Sequence, residues 1–469
     1  MTRKVEVHFG RYYDSVRLMQ VSRDVLAVPG VTDALVAMAT ELNLELLGGM
    51  GFSTDEAGPC GPNDLLIAIA AADSDALVAA RGVAAAALAA SAATVGGAAA
   101  AAAMPRRVET AAVDATVALV SVPGANAFVE ATAALRRGLH VMVFSNNVAL
   151  DQEIALKREA RDLGLLVMGP DCGTAIVSGV GLGFANVVRP GPVGIVGASG
   201  TGIQQLCCLL DDAGIGVRHA LGTGSRDLSQ PVGGISTLQA LEALDADAGV
   251  EVIVVVSKPP DPAVAGQVRA AAAACSTPTV MAFLGEDDAT LEDAAAEIVT
   301  VLGGTTEPAT SWRSPHEPSA RHPAVVGLFS GGTLCTEAES IAAPAGVGGR
   351  FLDLGADEFT SGRPHPMIDQ RLRLEHIAAA TADPATGVLL IDVVLGFGAH
   401  PDPAAELEPF ITAAVAGGVP TVVSLCGTAG DPQDRARQAT VLRGSGASVW
   451  LSNAAAARHA VGLAEEASR

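Results

Sequence analysis

Between Pro192 and Gly234 the chain reads PVGIVGASGTGIQQLCCLLDDAGIGVRHALGTGSRDLSQPVGG. Val193 to Val196 is a short apolar run with β-branched residues, which predicts a buried strand. Gly197-Ala198-Ser199-Gly200-Thr201-Gly202 then turns the chain, and Ile203 to Leu210 continues as an apolar helix ending near Gly214. A strand that enters a helix through small residues leaves backbone N–H groups pointing into open space. The positive end of the helix dipole lies there, and Ser199 and Thr201 add hydroxyls. Ser199, Gly200, Thr201 and Gly202 are therefore a candidate anion cradle. The other reading of the same residues is a tight βα turn without a ligand. No Lys follows the glycines, so this is not a P-loop, and the spacing is not G-x-G-x-x-G. The expected anion is a small phosphate or carboxylate rather than a dinucleotide pyrophosphate.

The same grammar returns at Ala324. Val325 to Phe329 is an apolar strand, Ser330-Gly331-Gly332-Thr333-Leu334 the turn, and a helix begins near Cys335. Leu389 to Val394 then matches Ile253 to Val256, and Thr421 to Leu425 matches Thr279 to Leu284. The pattern predicts an internal duplication of a flavodoxin-like domain, with Ser330, Gly331, Gly332 and Thr333 as a second cradle. Ahead of the first copy, 108–190 also alternates strand and helix. Its small and polar residues Gly124, Ser145, Asn146, Asp171 and Cys172 fall after strand ends, where open α/β sheets bind ligands. Cys172 reads either as a nucleophile or as a small packing residue. Residues 4–83 read as a small α/β unit, with Ser15 as a helix cap, and the alanine tract from Arg81 to Met104 as a helix running into a linker. The expected boundaries are an N-terminal α/β domain at 1–105, a second domain at 106–190, the two duplicated domains at 191–302 and 324–469, and a Pro- and Ser-rich linker at 303–323.

A net charge of −22 argues against nucleic acid and against an anionic membrane surface as partners. An anionic substrate needs local compensation, from helix N-termini and a few arginines. Arg226 and Asp227 in GSRDL, and Arg363 and His365 in GRPHP, are the candidate catalytic residues. His365 and His400 each read as an acid–base group or as a structural hydrogen-bonder. Seven cysteines contain no C-x-x-C pair, so neither a metal site nor a disulfide framework is expected. The N-terminal MTRKVEVHFG has no apolar signal region, and a cytoplasmic protein is the expectation.

VMGPDCGT, GPVGIVGASGTGIQ, GTGSRDLSQPVGGIS, VVSKPP, FSGGTL and GRPHPMID resemble the FdrA family, which is in turn similar to succinyl-CoA synthetase. Residues 108–302 resemble its alpha subunit and 324–465 the ligase domain of its beta subunit. The resemblance implies an α/β, multi-domain, succinyl-CoA synthetase-like fold: a Rossmann-like CoA-binding-type domain, two flavodoxin-like ligase domains and the small N-terminal α/β domain. It also implies that the two cradles face each other, and that Gly124, Ser145, Asn146, Asp171 and Cys172 belong to a CoA-type pocket. After Gly285 the synthetase pattern carries a phosphorylated histidine, whereas this chain reads Glu286-Asp287-Asp288-Ala289-Thr290. FdrA-like proteins are further similar to a subunit of oxamate carbamoyltransferase, which acts in allantoin breakdown. That resemblance implies phosphate or carbamoyl phosphate as a small anionic substrate, no resident cofactor, and other subunits of a hetero-oligomeric complex as partners. The alternatives are an acyl-CoA synthetase subunit without the phosphohistidine, for which CoA is the cofactor, and a non-catalytic scaffold.

Overall fold

The computed structural model describes residues 2–11, 13, 15–53, 56, 58–94, 107–111, 114–285, 289–360 and 364–467. The chain forms two units, one of residues 1–111 with 360–364 and one of 112–359 with 365–469.

In the first unit, β1 (Thr2–His8), α1 (Ser15–Leu26), β2 (Val31–Met38), α2 (Glu41–Gly49), β3 (Leu65–Ala71) and α3 (Ser74–Thr94) follow in order. The sheet order is β1-β3-β2, with β3 antiparallel to both neighbours, so β1, α1 and β2 make a split βαβ unit. β3 reads LLIAIAA and is buried throughout, which a central strand covered on both faces requires. Helix α3 is long because alanine carries almost no entropic penalty in a helix.

The second unit begins with β4 (Val117–Val120), α4 (Gly124–Arg136), β5 (His140–Val143), α5 (Leu150–Asp162) and β6 (Val167–Met168), a parallel three-stranded sheet in sequential order. The hairpin β7 (Thr174–Val177) and β8 (Val180–Gly183) follows, then β9 (Val193–Gly197), α6 (Gly200–Asp212), β10 (Val217–Gly222), α7 (Ile235–Asp245), β11 (Val252–Ser257), α8 (Pro262–Ala274), β12 (Thr279–Phe283) and α9 (Leu291–Val301). These strands make one sheet, β12-β11-β9-β10-β7-β8; β9 to β12 are parallel and the hairpin adds antiparallel strands beside β10. Next come β13 (Ser311–Trp312), β14 (Ala324–Phe329), α10 (Gly332–Ala342), β15 (Gly348–Asp353), α11 (Asp357–Thr360), α12 (Arg371–Ala382), β16 (Val388–Val394), α13 (Pro403–Ala416), β17 (Thr421–Cys426), α14 (Arg435–Gly444), β18 (Ser448–Trp450) and α15 (Asn453–Glu466). Their sheet runs β13-β18-β17-β16-β14-β15. Numbering its five parallel strands from β14, the order is 2-1-3-4-5, the flavodoxin order. The earlier sheet repeats it as 2-1-3-4.

The duplication is thus real at the level of topology. Both copies place the C-terminal ends of their central strands, and the starts of α6 and α10, at a topological switch point. The strands hold there because β11, β14, β16 and β17 are buried from end to end. Within 303–323, Ser311–Trp312 pairs antiparallel with β18, and Trp312 carries the Arg435 guanidinium 5.8 Å from its ring centroid.

The two copies are locked together by polar contacts. Asn186 donates to Asp431 at 2.8 Å and to the Leu395 carbonyl at 3.0 Å, and the Val187 N–H donates to Asp431 at 2.7 Å. Another buried carboxyl, Glu337 on α10, accepts from the Leu291 N–H at the start of α9 and from Asn453 on α15. Burial pushes Glu337 up from 4.5 to about 7, against the lowering effect of those two bonds. The folded chain then holds this proton to higher pH than the unfolded chain does. Its stabilising contribution is complete below 4.5 and is lost as pH rises through about 7. Glu337→Gln is therefore expected to flatten the loss of urea-midpoint stability between about pH 4.5 and about pH 7. An unchanged pH slope in the variant would show that Glu337 does not titrate there.

Candidate functional site

The starts of α6 and α10 meet. Ser199, the N-cap of α6, accepts from the Gly202 N–H at 2.9 Å, and its hydroxyl lies 2.5 Å from the Thr333 hydroxyl in the first turn of α10. A Cβ on Gly331 would stand 2.8 Å from Thr201 Cγ2. Ser199, Ser330 and Thr333 are buried, while Gly200, Thr201 and Gly332 keep partial exposure. The two helix starts therefore share one small opening, with their N-terminal dipoles converging.

The two starts differ in what already occupies them. The Ser330 and Gly331 N–H groups both donate to the Asp392 carboxylate at 2.8 Å, and the Ser330 hydroxyl donates to it at 2.9 Å. Arg373, fully enclosed, pairs with the same carboxylate at 2.8 Å. These donors of the second turn thus serve an internal anion from β16. Gly332 and Thr333 begin the helix beyond them.

At Gly332 two charged side chains converge. A Cβ there would collide with Asp353 Oδ2 and stand 2.5 Å from Lys258 Nζ. Lys258 follows the C-terminal end of β11, Asp353 ends β15, and the two are 3.7 Å apart. Burial raises the Asp353 carboxyl above its ordinary range, and Lys258 and the Gly355 N–H oppose that. His365 lies behind Gly355; a Cβ on Gly355 would stand 2.7 Å from His365 Nε2. The Met367 N–H donates to His365 Nδ1 at 3.2 Å, which leaves the ring proton on Nε2. Desolvation, with Arg373 adding to it, pushes His365 down to about 4, so the imidazole is neutral at neutral pH. It can donate one hydrogen bond from Nε2.

Arg226 and Asp227 lie in a different environment. Asp227 is fully buried, and its carboxylate accepts from Lys157 Nζ at 2.7 Å, from the Thr237 hydroxyl at 2.7 Å and from the Thr237 N–H at 2.8 Å. Lys157 also pairs with Glu153 at 2.8 Å, and Glu153 with Arg226 at 2.8 Å. Arg226 additionally donates to the Val148 carbonyl at 2.7 Å. Asp227 thus ties the start of α7 to α5. Arg363 lies outside the described residues. His400 is buried with Nε2 3.0 Å from Glu406 and Nδ1 accepting from the Asp402 N–H, the arrangement of a structural hydrogen-bonder.

The five residues assigned to a CoA-type pocket come together at the ends of β4, β5 and β6. A Cβ on Gly124 would collide with the Asn146 carbonyl; the Asp171 N–H donates to the Ser145 carbonyl at 3.0 Å. The Ser145 hydroxyl donates to the Val122 carbonyl at 2.5 Å, and Asn146 donates to Asp357 at 3.3 Å. Cys172 is sealed, and burial pushes its thiol up to about 12, which makes it a packing residue and an unreactive one. Asp171 is raised by burial and by Asp357, and lowered by Ser225, Arg226 and Lys258. None of the five supplies a cation; the Ser145 hydroxyl is spent on the Val122 carbonyl and the Asn146 amide on Asp357 at the start of α11. As described, they do not fit a pyrophosphate-bearing cofactor, and no step below runs through CoA.

Lys258, Asp353 and Asp392 were not among the residues singled out from the sequence. Lys258 follows β11, Asp353 ends the edge strand β15 and Asp392 lies within β16, two residues before its C-terminal end.

Comparison with known proteins fits this architecture. Residues 328–463 match a family described as CoA-ligase, and residues 188–285 one described as CoA binding domain. The latter covers β9 to β12, downstream of the 106–190 stretch to which the resemblance assigned that role. Residues 1–104 match a domain described as AllF, heavy metal-associated. Cys60 is the one cysteine there, and no group of three or more His, Cys, Asp or Glu among the described residues could hold a metal ion. The succinate–CoA ligase [ADP-forming] subunit alpha of Methanothermobacter thermautotrophicus is 25% identical over 152 residues, 32% of this chain and 50% of that one; the match spans half of that relative's length. The Ca. Korarchaeum cryptofilum dinucleotide-forming acetyl-coenzyme A synthetase 1, solved with phosphate and ADP, covers 77% of this chain and 85% of its own at 15% identity and a TM-score of 0.33. By its matched domains the chain is a multi-domain α/β protein with CoA-ligase-like and CoA-binding-like domains. It is 35% identical over 446 residues, 86% of either chain, to the uncharacterized protein YahF of Escherichia coli. It belongs to the FdrA-like family. No helix among the described residues is long and apolar enough to cross a membrane.

Proposed function

We propose that the chain is a carbamoyltransferase subunit that exchanges a carbamoyl group between oxalurate and phosphate, with its anion at the joined starts of α6 and α10. The observation that carries this reading is the convergence of two helix dipoles with Lys258 at one opening. In the reaction an oxygen of monohydrogen phosphate bonds to the carbamoyl carbon. The C–N bond to the oxamate nitrogen breaks, and the phosphate proton ends on that nitrogen. Charge is conserved, and no covalent protein intermediate is needed. Catalysis is then positioning plus stabilisation of the oxyanion formed at the carbamoyl carbon. Gly200, Thr201, Gly332 and Thr333 supply N–H groups at the helix starts, and Lys258 the full charge. His365, neutral with its proton on Nε2, is the nearby group able to donate a hydrogen bond. The test is formation of carbamoyl phosphate from oxalurate and phosphate by the purified chain, with and without the products of adjacent genes. Turnover that requires this chain supports the reading; none in any combination overturns it.

The CoA-ligase and CoA-binding matches favour a second reading, an acid–thiol ligase subunit. Acyl-CoA formation with an ATP-binding partner, in the same assay series, would select it.

A further inference from the structure

We propose that β1 is a dimerisation edge: two copies of this chain pair their β1 strands antiparallel about a two-fold axis at Val5, joining their N-terminal sheets into one. β1 lies at the margin of the sheet β1-β3-β2 and, among the described residues, pairs with β3 alone. Its outer side therefore carries unpaired backbone N–H and C=O groups, a template onto which a further strand adds. The strand is regular enough to use. Its register with β3 runs unbroken from Thr2 opposite Ala71 to His8 opposite Leu65, and Thr2, Arg3 and Lys4 are exposed. The opposite margin is blunted. β2 carries a register shift between Val31 and Asp33, an irregularity that turns an edge away from further pairing.

The side chains of β1 select the occupant. Val5 and Val7 pack with Leu47 and Phe52, and Arg3 lies over the Phe52 ring at 5.5 Å. Lys4, Glu6 and His8 therefore share the other face, where Arg81 of α3 pairs with Glu6 at 2.6 Å. A two-fold axis perpendicular to the sheet keeps the helices of both copies on one face and passes between one β1 residue and its mate. With the axis at Val5, Lys4 of each copy stands directly across from Glu6 of the other. Moving the axis to Lys4 or to Glu6 sets like charges face to face. Opposite charges directly across an antiparallel pair stabilise it, and like charges do the reverse. Lys and Glu on either side of a central Val thus complement a second copy running the other way, and the charges fix the register.

This interface is independent of the chemistry proposed at the helix starts. The contact is short, so self-association in the micromolar range is expected. Sedimentation equilibrium is run on the full chain and on Lys4→Glu, Glu6→Lys, Lys4→Arg and Lys4→Glu/Glu6→Lys, with melting temperatures measured in parallel. The parent should show a monomer–dimer equilibrium. Lys4→Glu and Glu6→Lys each make both cross-strand pairs repulsive, and should weaken the dimer at least about tenfold. The double variant should associate like the parent. So should an equimolar mixture of Lys4→Glu and Glu6→Lys, because each supplies the charge the other lacks. A parent that stays monomeric at hundreds of micromolar, the result if a segment of its own chain covers β1, overturns the proposal. Parent-like association of Lys4→Glu and Glu6→Lys overturns it too, since the copies then meet elsewhere. A mixture that stays monomeric does the same, because the Val5 register gives it two opposite-charge pairs. If Glu6→Lys melts early through loss of Arg81, Lys4→Glu against Lys4→Arg decides: the first must weaken the dimer and the second must keep it.

Discussion

Asp227→Ala is expected to lower the stability of the 112–469 unit by about 3–5 kcal/mol, the usual cost of removing one partner from a buried ion pair. The reason lies in what the carboxylate holds. It bonds to Lys157, to the Thr237 hydroxyl and to the Thr237 N–H, and the Lys157 and Asp227 side chains have no exposure. Its removal strips the start of α7 of a cap and leaves Lys157 with Glu153 alone among carboxylates. Lys157→Met should cost a similar amount, because Asp227 and Glu153 then remain buried with less compensation. The double variant Lys157→Met/Asp227→Ala should lose less than the sum of the singles, since each single already breaks the pair. Urea denaturation of the three variants measures this. A fall in activity with unchanged midpoints would contradict the structural assignment and return Asp227 to the chemistry. The same measurement separates Asp227 from its neighbour Arg226, whose side chain is partly exposed and whose loss should be milder.

The fold was largely legible, and the site only in part, for one physical reason. A buried parallel strand is apolar along most of its length, so β9, β11, β14, β16 and β17 stand out as nearly continuous runs, with Asp392 interrupting β16. A helix that starts directly after such a strand needs small residues, so the α6 and α10 starts were visible as well. Partners that converge from other strands leave no local trace. The Asp392 carboxylate reaches the Ser330 N–H across 62 positions of sequence, and nothing in FSGGTL announces that two of its N–H groups are already taken. Asp227 followed Arg226 in a motif loop and read as chemistry, yet Lys157, 70 positions earlier, makes it a buried tie. The strand Ser311–Trp312 is two residues long and has no periodicity to read inside a Pro- and Ser-rich stretch.

The largest effect on ligand binding is expected at Gly332. Its absent side chain is what lets Lys258 Nζ and Asp353 Oδ2 approach the first residue of α10. Both atoms are the far ends of flexible side chains, so Gly332→Ala can be accommodated by swinging them away. The backbone there is already helical, and alanine is the better helix former. The variant should therefore fold, with a melting temperature close to the parent's, while the Lys258 ammonium is pushed off the opening. Lys258→Met removes the same charge without touching the backbone, and should give the same loss. A charge-assisted hydrogen bond contributes about 1.5–3 kcal/mol, so either change should weaken inorganic phosphate binding roughly 10- to 150-fold. Asp353→Asn is the opposing control. It removes the carboxylate that competes with the ligand for Lys258, so phosphate affinity should hold or rise. The two losses should not add in Gly332→Ala/Lys258→Met, because both act through one ammonium. Fully additive losses, or a Gly332→Ala chain that binds phosphate as the parent does, would remove Lys258 from the site and leave the helix starts as simple βα turns.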